Sequence, residues 1–430
     1  MTSDSSRSIQ LFLWFGVLLF SLFLLMPILR NVKIAVITSL DTSWIPQLQN
    51  YTQFFKIPLC ILFIALYRPQ HLPKLLGGTL AISLLIILGY FFLINSASTS
   101  PETTATPIWL YSSFYVFADL WSPWFGALLF WVFANQTITT DQAKWMYPGW
   151  GIFAAIAIFF GQLISLRLGL DIWDNPLGLM LTISATFSAI IFALVFLSLN
   201  RIQYLSAQFP APQASASQFS LNFRIKYLLF IFGIIICYGL CTKIIDLSMK
   251  VQLKATYPDP TAYTAFMGQY MQFMSSSNIL LFCLTCWWVW VMGWFRSALM
   301  VPVIALILGT ALFVVHLLGY APDVLLWYAI AAKVIMFGIS WTVFLATKEI
   351  AYIPLNSLTK ARGKAVIDFL LSREMLTSWI VIGLLVWDVK LLDAPSPYLA
   401  FVYLGTVLVW FFCLFKLKHY YNEALSATQS

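Results

Sequence analysis

Residues 225–254, IKYLLFIFGIIICYGLCTKIIDLSMKVQLK, join an apolar run to a row of charged side chains. Residues 227–236 are almost entirely apolar, as a membrane-spanning helix requires. Four charged residues follow at offsets of 0, 3, 7 and 11, which fall on one face of a helix: Lys243, Asp246, Lys250 and Lys254. Charges at membrane depth cost free energy unless they line a wet cavity. The stretch therefore predicts a membrane helix whose polar face has a function.

The composition of the whole chain is that of an integral membrane protein. Of its 430 residues, 61% are hydrophobic and 9% are charged, whereas about 25% of the residues of a soluble domain are charged. A helix needs ~20 apolar residues to cross a bilayer. Twelve segments meet this need and predict an all-α membrane protein with spans at about 10–29, 51–67, 75–94, 107–134, 147–168, 177–199, 225–247, 263–291, 297–319, 322–345, 365–388 and 395–417.

The distribution of basic residues predicts that both termini are cytoplasmic. With this orientation, 14 of the 24 Lys and Arg residues lie on the cytoplasmic side, six on the opposite side and four within spans, as the positive-inside rule favours. The amino-terminal segment shows neither an A-x-A cleavage site nor an Arg- and Ser-rich transit pattern. We therefore expect a bacterial inner-membrane protein. The net charge of +8 suits anionic lipid or an anionic substrate.

A polar connection divides the predicted spans into six and six. Residues 201–222 include the run PAPQASAS, whose composition is typical of a linker. We expect an amino-terminal half at 1–200, a cytoplasmic linker at 201–222 and a carboxy-terminal half at 223–430. A cation, a proline and then Y-T-x-F follow the first span of each half, with Y-T-x-F beginning at Tyr51 and at Tyr263. Paired six-helix halves around a midplane site are typical of alternating-access transporters.

Charged residues inside or at the ends of the spans are the candidates for a substrate site. Asp119 lies some twelve residues into the fourth span, where a carboxylate costs ~2.5–3.5 kcal/mol on insertion scales. It either pairs with a lysine of another helix or contacts a substrate or coupling ion. Pro123 follows it and loosens the helix ladder. The candidate cations are Arg30, Lys33, Lys56, Lys250, Lys333 and Arg373, although those near span ends can also snorkel to the interface.

The excess of cations over carboxylates favours a phosphorylated substrate. Lysine binds phosphate as a point charge, so the surplus lysines of the seventh span suit an anionic ligand. Asp246 and Lys250 are spaced i, i+4 and suit a helix ion pair. Asp119 and Asp246 are then expected to hold the cations when no substrate is bound, or to titrate and couple transport to protons.

The sequence contains no motif for catalysis or for binding a metal. G-x-x-x-x-G-K-[ST], H-E-x-x-H and G-x-S-x-G are all absent. The three His residues are scattered, and all six Cys residues fall within predicted spans, where they are expected to pack as small apolar side chains. We therefore expect that the protein is not an enzyme and that it binds neither a cofactor nor a metal. The expected partners are the substrate and the lipid bilayer, with no nucleic acid and a monomeric state.

Four segments resemble the nucleotide transporter family, the ATP/ADP translocases of plastids and intracellular bacteria. Residues 29–33, LRNVK, resemble the family's L-R-D-T-K. Residues 117–144 contain FADLW, FWVFANQ and ITTDQAK, similar to A-E-L-W, L-F-W-x-F-A-N and I-T-x-x-E-A-K. Residues 246–267 resemble E-V-T-W-K-S-x-L-K…P-x-P-x-x-Y-x-A-F-M-G. Residues 346–368 resemble A-T-K-E-M-A-Y-I-P-L…K-G-K-A-A-I-D, and all four matches follow the family's order.

The resemblance implies a twelve-helix fold of the major facilitator type that exchanges or imports nucleotides. Family members rely on charges that match Lys33, Asp119 and Asp246, although both acidic positions are usually Glu in the family. On the predicted topology the best-matching motif is cytoplasmic. Three residues of the family motifs are therefore expected as a gate or as inner-side contacts: Asn135, Lys348 and Lys364.

Departures from the family pattern leave the substrate open. Ile34 replaces an acidic residue, Leu345 an aspartate and Ser340 a lysine, and the family's L-G-K-S-G-G after Arg373 is absent. We therefore expect the substrate to be ATP and ADP or another nucleoside phosphate such as GTP, carried by exchange or by proton-coupled import. The alternatives are another phosphorylated metabolite and a membrane scaffold that does not transport. Substrate phosphates are expected at Lys33, Lys250 and Arg373.

Overall fold

The structure is a computed structural model that describes residues 2–38, 45–99, 108–168, 176–207, 220–257, 260–371 and 397–429, and nearly all of them are helical. We number the helices in chain order, counting a helix as continuous through a π-helical segment. They are α1 (Thr2–Thr38), α2 (Ile45–Leu66), α3 (Leu72–Thr99), α4 (Ile108–Thr137), α5 (Thr140–Leu168), α6 (Pro176–Ala207), α7 (Leu221–Thr256), α8 (Pro260–Leu317), α9 (Pro322–Ile339, Ser340–Phe344 and Leu345–Tyr352), α10 (Ser357–Lys364 and Ala365–Leu370) and α11 (Pro397–Gln429).

Many of the described helices have the length and the apolar composition of a membrane span. Nine helical segments there are long and apolar enough to cross a bilayer, and each overlaps a span that the sequence predicts. The apolar part of α2, Tyr51–Leu66, is shorter. The predicted span at 263–291 lies in the first part of α8, and most of the predicted span at 365–388 lies outside the described residues. The structure thus confirms a helical, multi-pass membrane protein, while the number twelve stays a prediction.

The chain forms two compact units. The first unit comprises Met1–Ile138, Phe153–Pro212 and Lys360–Leu370, and the second comprises Thr139–Ile152, Gln213–Thr359 and Leu371–Ser430. Each unit therefore takes in a short segment from beyond the linker that separates the predicted halves. The division at residues 201–222 stays a prediction about the internal repeat.

The helices of the two units have matching neighbours. In the first unit α1 packs against α6 and α4, and α3 packs against α6. In the second unit α7 packs against α11 and α9, and α8 packs against α11. The pairs correspond if α7 repeats α1, α9 repeats α4 and α11 repeats α6. This correspondence agrees with the repeat that the sequence indicates.

Local departures from α-helical geometry occur where the sequence predicts them and also where it does not. Pro123 has no N–H, and its ring clashes with the carbonyl of residue i−4 in a regular α-helix. That residue is Asp119, and α4 widens into a π-helical segment at Ser122–Leu129. A second π-helical segment, Ser340–Phe344 in α9, contains no proline. In α8 the backbone bends at Gly293, whose φ of 73° lies in the left-handed region that favours glycine.

Candidate functional site

An ion pair joins α1 to α4 in the first unit. Lys33, in the last turns of α1, donates from Nζ to Asp119 Oδ1 of α4. The ammonium also lies 4.7 Å from the centre of the Tyr115 ring, one helical turn before Asp119 on the same helix. Lys33 is buried, so the carboxylate and the aromatic face replace part of its hydration. The sequence identified both charged residues as site candidates, and the structure shows that they are partners.

A second cluster joins α7 to α9 in the second unit. Asp246 accepts from Lys250 Nζ at 2.9 Å and from Lys333 Nζ, also at 2.9 Å. The Lys250 side chain is 51% exposed, whereas the Lys333 side chain is 19% exposed. The cluster holds two cations on one carboxylate and keeps one of the cations accessible to a ligand. The predicted i, i+4 pair is confirmed, and Lys333 completes it from another helix.

The two clusters occupy corresponding places in the repeat. The stretch of chain from Lys33 to Asp246 and the stretch from Asp119 to Lys333 differ in length by a single residue. The two Y-T-x-F motifs are separated by almost the same length of chain. In the first unit the lysine is on α1 and the aspartate on α4, while in the second unit the aspartate is on α7 and the lysine on α9. The same helix pair is therefore joined in both units with the charges exchanged.

Other cations predicted for the site lie apart from these pairs or outside the described residues. Arg30 is exposed. Lys56 is buried on α2 and donates from Nζ to Gln53 Oε1 at 2.9 Å. Arg373 falls outside the described residues. Roles for all three in substrate binding stay predictions.

The first unit buries two residues that the sequence predicts as a gate or as inner-side contacts. Asn135 at the end of α4 and Lys364 at the end of the first part of α10 are almost fully shielded from solvent. Lys364 Nζ donates to Asp368 Oδ2 at 3.0 Å. Lys360, one helical turn before Lys364, donates from Nζ to the main-chain oxygen of Asn135 at 2.9 Å. Burial lowers the pKa of Lys360 to about 7.

Lys360 is the residue that sequence reasoning missed in this region. The positive-inside rule predicts Lys360 only as one of the 14 cations on the cytoplasmic side, although Lys360 and Lys364 have the i, i+4 spacing that places two side chains on one helix face. That spacing was the available signal. Only the fold brings α10 against the end of α4 in the first unit.

Lys348 has a comparable environment in the second unit. Its Nζ lies 2.9 Å from Oε1 of the neighbouring Glu349, and both side chains are buried. Trp294 donates from Nε1 to the Thr347 main-chain oxygen at 2.8 Å and holds the adjoining backbone. Burial of Asn135, Lys348 and Lys364 is consistent with a packed gate, and a gating role for them stays a prediction.

Comparison with known proteins finds relatives that transport nucleotides. Residues 93–421 match the family model described as TLC ATP/ADP transporter. The chain is 30% identical to ADP,ATP carrier protein 1 of Chlamydia muridarum (strain MoPn / Nigg), over 75% of this chain and 67% of the relative. It is 26% identical to ADP,ATP carrier protein 2, chloroplastic, of Arabidopsis thaliana, over 96% of this chain and 74% of the relative.

Comparison with solved structures identifies the fold. The chain matches a bacterial homologue of the iron transporter ferroportin in its outward-facing state, with a TM-score of 0.67, 13% identity and coverage of 96% of this chain and 99% of that one. It also matches the major facilitator superfamily transporter FucP in the outward conformation, with a TM-score of 0.57, 15% identity and coverage of 95% and 98%. The chain has the major facilitator type of fold, and it belongs to the TLC ATP/ADP transporter family.

Proposed function

We propose that this protein is a secondary transporter that exchanges nucleotides, ATP against ADP, across a membrane. The observation that carries the proposal is the repeated lysine–aspartate cluster, Lys33 with Asp119 and Lys250 and Lys333 with Asp246, in a chain of this family. Both clusters occur on helices long and apolar enough to span the bilayer. Charges at that depth are usually retained because a transported ion or substrate needs them.

Phosphate oxygens and aspartate oxygens compete for the same lysines in this mechanism. Without substrate, each carboxylate holds its lysine, because an unpaired ammonium at membrane depth is costly. A nucleotide phosphate then accepts from the lysine as the carboxylate releases it. Lys250 is the more exposed cation of its cluster and is the proposed first phosphate contact. Asp246 keeps Lys333 as a partner during this exchange, so the carboxylate is not left unpaired.

The shorter acidic side chains bear on which nucleotide is carried. Both clusters have Asp where the resemblance leads us to expect Glu, so each carboxylate is one methylene closer to its backbone. A shorter carboxylate holds its lysine closer to the helix that carries the aspartate, and this resizes the site. After ATP and ADP, the next pair of candidate substrates is GTP and GDP. Coupling to protons through Asp119 or Asp246 is the alternative to exchange.

The membrane and the orientation form part of the same proposal. The excess of Lys and Arg on one side supports cytoplasmic termini, and the proposed location is a bacterial inner membrane. The transporter is proposed to act as a monomer.

Purified protein in proteoliposomes tests the proposal. Labelled ATP, ADP, GTP, GDP and inorganic phosphate are offered outside, with and without internal ATP or ADP and with and without a proton gradient. Exchange predicts uptake of ATP only when nucleotide is present inside, with no effect of the proton gradient. Uptake that follows the proton gradient into empty vesicles favours coupled import. Competition by sugar phosphates but not by nucleotides contradicts a nucleotide substrate.

A further inference from the structure

An apolar groove runs along the first unit between α2 and α3, with α4 as its floor. Its cavity has a volume of about 780 Å³ and contains Phe55 and Leu62 of α2, Ile82 and Ile86 of α3, and Trp121 and Trp124 of α4. Phe55, Leu62 and Ile82 are each about half exposed, so the groove is open along its side. At membrane depth an open apolar side faces lipid rather than water.

The groove has the length of one acyl chain. Along α3 its lining extends from Thr79 to Tyr90. At 1.5 Å per residue this is about 16 Å, roughly half of the ~30 Å hydrocarbon core of a bilayer. The acyl chain of a lipid from a single leaflet is long enough to fill the groove.

Positive charge lies beyond one end of the groove. The connection between α2 and α3 exposes Arg68 and His71, and the first turn of α3 exposes Lys74. Lys74 precedes Thr79 on the same helix by about 8 Å along its axis. The sequence contains no Asp or Glu from residue 42 to residue 101. The cations of this hairpin therefore have no acidic residue of α2 or α3 to neutralise them, and they suit an anionic group from outside the chain.

The order of side chains along α3 matches the parts of a phospholipid. The charged Lys74 comes first on α3, and the two aliphatic hydroxyls that α3 contributes to the groove lining lie in the half nearer to it, since the lining along this helix runs Thr79, Ile82, Ser83, Ile86 and Tyr90. A phospholipid presents a phosphate, then ester oxygens, then a hydrocarbon chain in the same order. For a second copy of the protein to occupy the groove instead, it would have to supply both an anion and a narrow apolar ridge.

We infer that this groove binds an anionic phospholipid, with one acyl chain between α2 and α3 and the headgroup phosphate at Arg68 and Lys74. The acyl chain packs against Trp121 and Trp124 of α4. These two side chains lie on either side of Pro123 and beside the helix segment that carries Asp119. The lipid thereby supports the helix that holds one of the ion pairs. This inference does not rest on the identity of the transported substrate.

Photochemical labelling tests the site on the full chain. The protein is reconstituted in phosphatidylcholine vesicles with a trace of phosphatidylglycerol or phosphatidylcholine that carries a diazirine on one acyl chain, and labelled peptides are mapped by mass spectrometry. The diazirine-bearing phosphatidylglycerol is expected to label the groove at least about fivefold more than the diazirine-bearing phosphatidylcholine does. The groove peptides are those that contain residues 48–62, 79–90 and 112–125. Arg68→Gln/Lys74→Gln should reduce that preference to about one, because the headgroup loses its cations. Lys226→Gln/Lys416→Gln, which removes two exposed cations elsewhere, should leave it unchanged.

A second variant tests the acyl chain separately. Ser83→Trp places a large ring in the groove and should reduce labelling there by both lipids several-fold, with wild-type labelling elsewhere. Excess inorganic phosphate should not displace the labelled phosphatidylglycerol, because the acyl chain contributes to its binding. Equal groove labelling by the two lipids in the wild type overturns the inference. Unchanged preference in Arg68→Gln/Lys74→Gln, or displacement by phosphate alone, overturns it as well.

Discussion

At the scale of single residues, the site depends on how each buried charge is neutralised. Lys33 has Asp119 and the Tyr115 ring, and Asp246 has two lysines. The sequence identified these charged residues because ionisable side chains in apolar spans are rare. It did not identify their partners, because a contact between residues far apart in the chain depends on helix packing that no local pattern encodes.

The Lys33–Asp119 pair predicts an asymmetric response to substitution. Asp119→Asn leaves the buried ammonium without its counter-ion and should lower the free energy of unfolding by about 1–3 kcal/mol, allowing for the partial exposure of Asp119. Asp119→Glu keeps the charge, and the resemblance to the family leads us to expect Glu at this position, so this variant should stay close to wild type. Thermal unfolding in detergent measures both. An Asp119→Asn protein as stable as the wild type would show that the pair is not needed for the fold.

Lys360 predicts a pH dependence of stability. Burial lowers its pKa to about 7 from 10.5, so between these pH values the unfolded chain binds a proton that the folded chain does not. The contribution of Lys360 to the free energy of unfolding therefore rises as pH increases from about 7 to 10. Lys360→Met removes this dependence. As pH rises above about 7, the unfolding midpoint of the wild type should therefore increase relative to that of the variant. The exposed control Lys226→Met should follow the wild type at every pH.

At the scale of elements, α4 and α9 each carry an ion-pair residue followed by a π-helical segment. The sequence predicted the irregularity of α4 because proline interrupts the hydrogen-bond ladder. It did not predict the segment at Ser340–Phe344, which has no proline and depends on packing. Segments of this kind are frequent at functional sites, since they rotate the following residues relative to the preceding ones.

The π-helical segment of α4 predicts a separation of stability from transport. Pro123→Ala restores an N–H that can donate to the Asp119 carbonyl and should raise the unfolding midpoint, since proline costs about 3 kcal/mol in a helix interior. Tightening of the helix re-aims Asp119 and should reduce the exchange rate several-fold. Pro302→Ala in α8 is the matched control and should leave the rate unchanged. If Pro123→Ala exchanges nucleotides at the wild-type rate, the irregularity has no part in transport.

At the scale of the whole molecule, sequence periodicity and composition were enough to predict a helical multi-pass protein. The nearly equal spacing between corresponding charges extends the repeat that the Y-T-x-F motifs first indicated. The sequence did not predict that Lys360–Leu370 joins the first unit, because α10 follows the linker and has a short charged pattern of its own. Nor did it predict the burial of Lys348 and Lys364, which the positive-inside rule treats as surface cations.

Lys33 and Lys250 are the lysines proposed to bind the phosphates of an exchanged nucleotide. The most direct measurement is exchange of external labelled ATP for internal ADP in proteoliposomes, comparing Lys33→Ala, Lys250→Ala and the exposed control Lys226→Ala. Lys250→Ala is the cleaner variant, because Asp246 retains Lys333 and the fold keeps its pair. Loss of one charge-assisted hydrogen bond should lower kcat/KM about tenfold or more in each site variant, with no change in the control. Wild-type exchange of ATP and of every other nucleotide by both Lys33→Ala and Lys250→Ala would show that neither lysine binds the substrate.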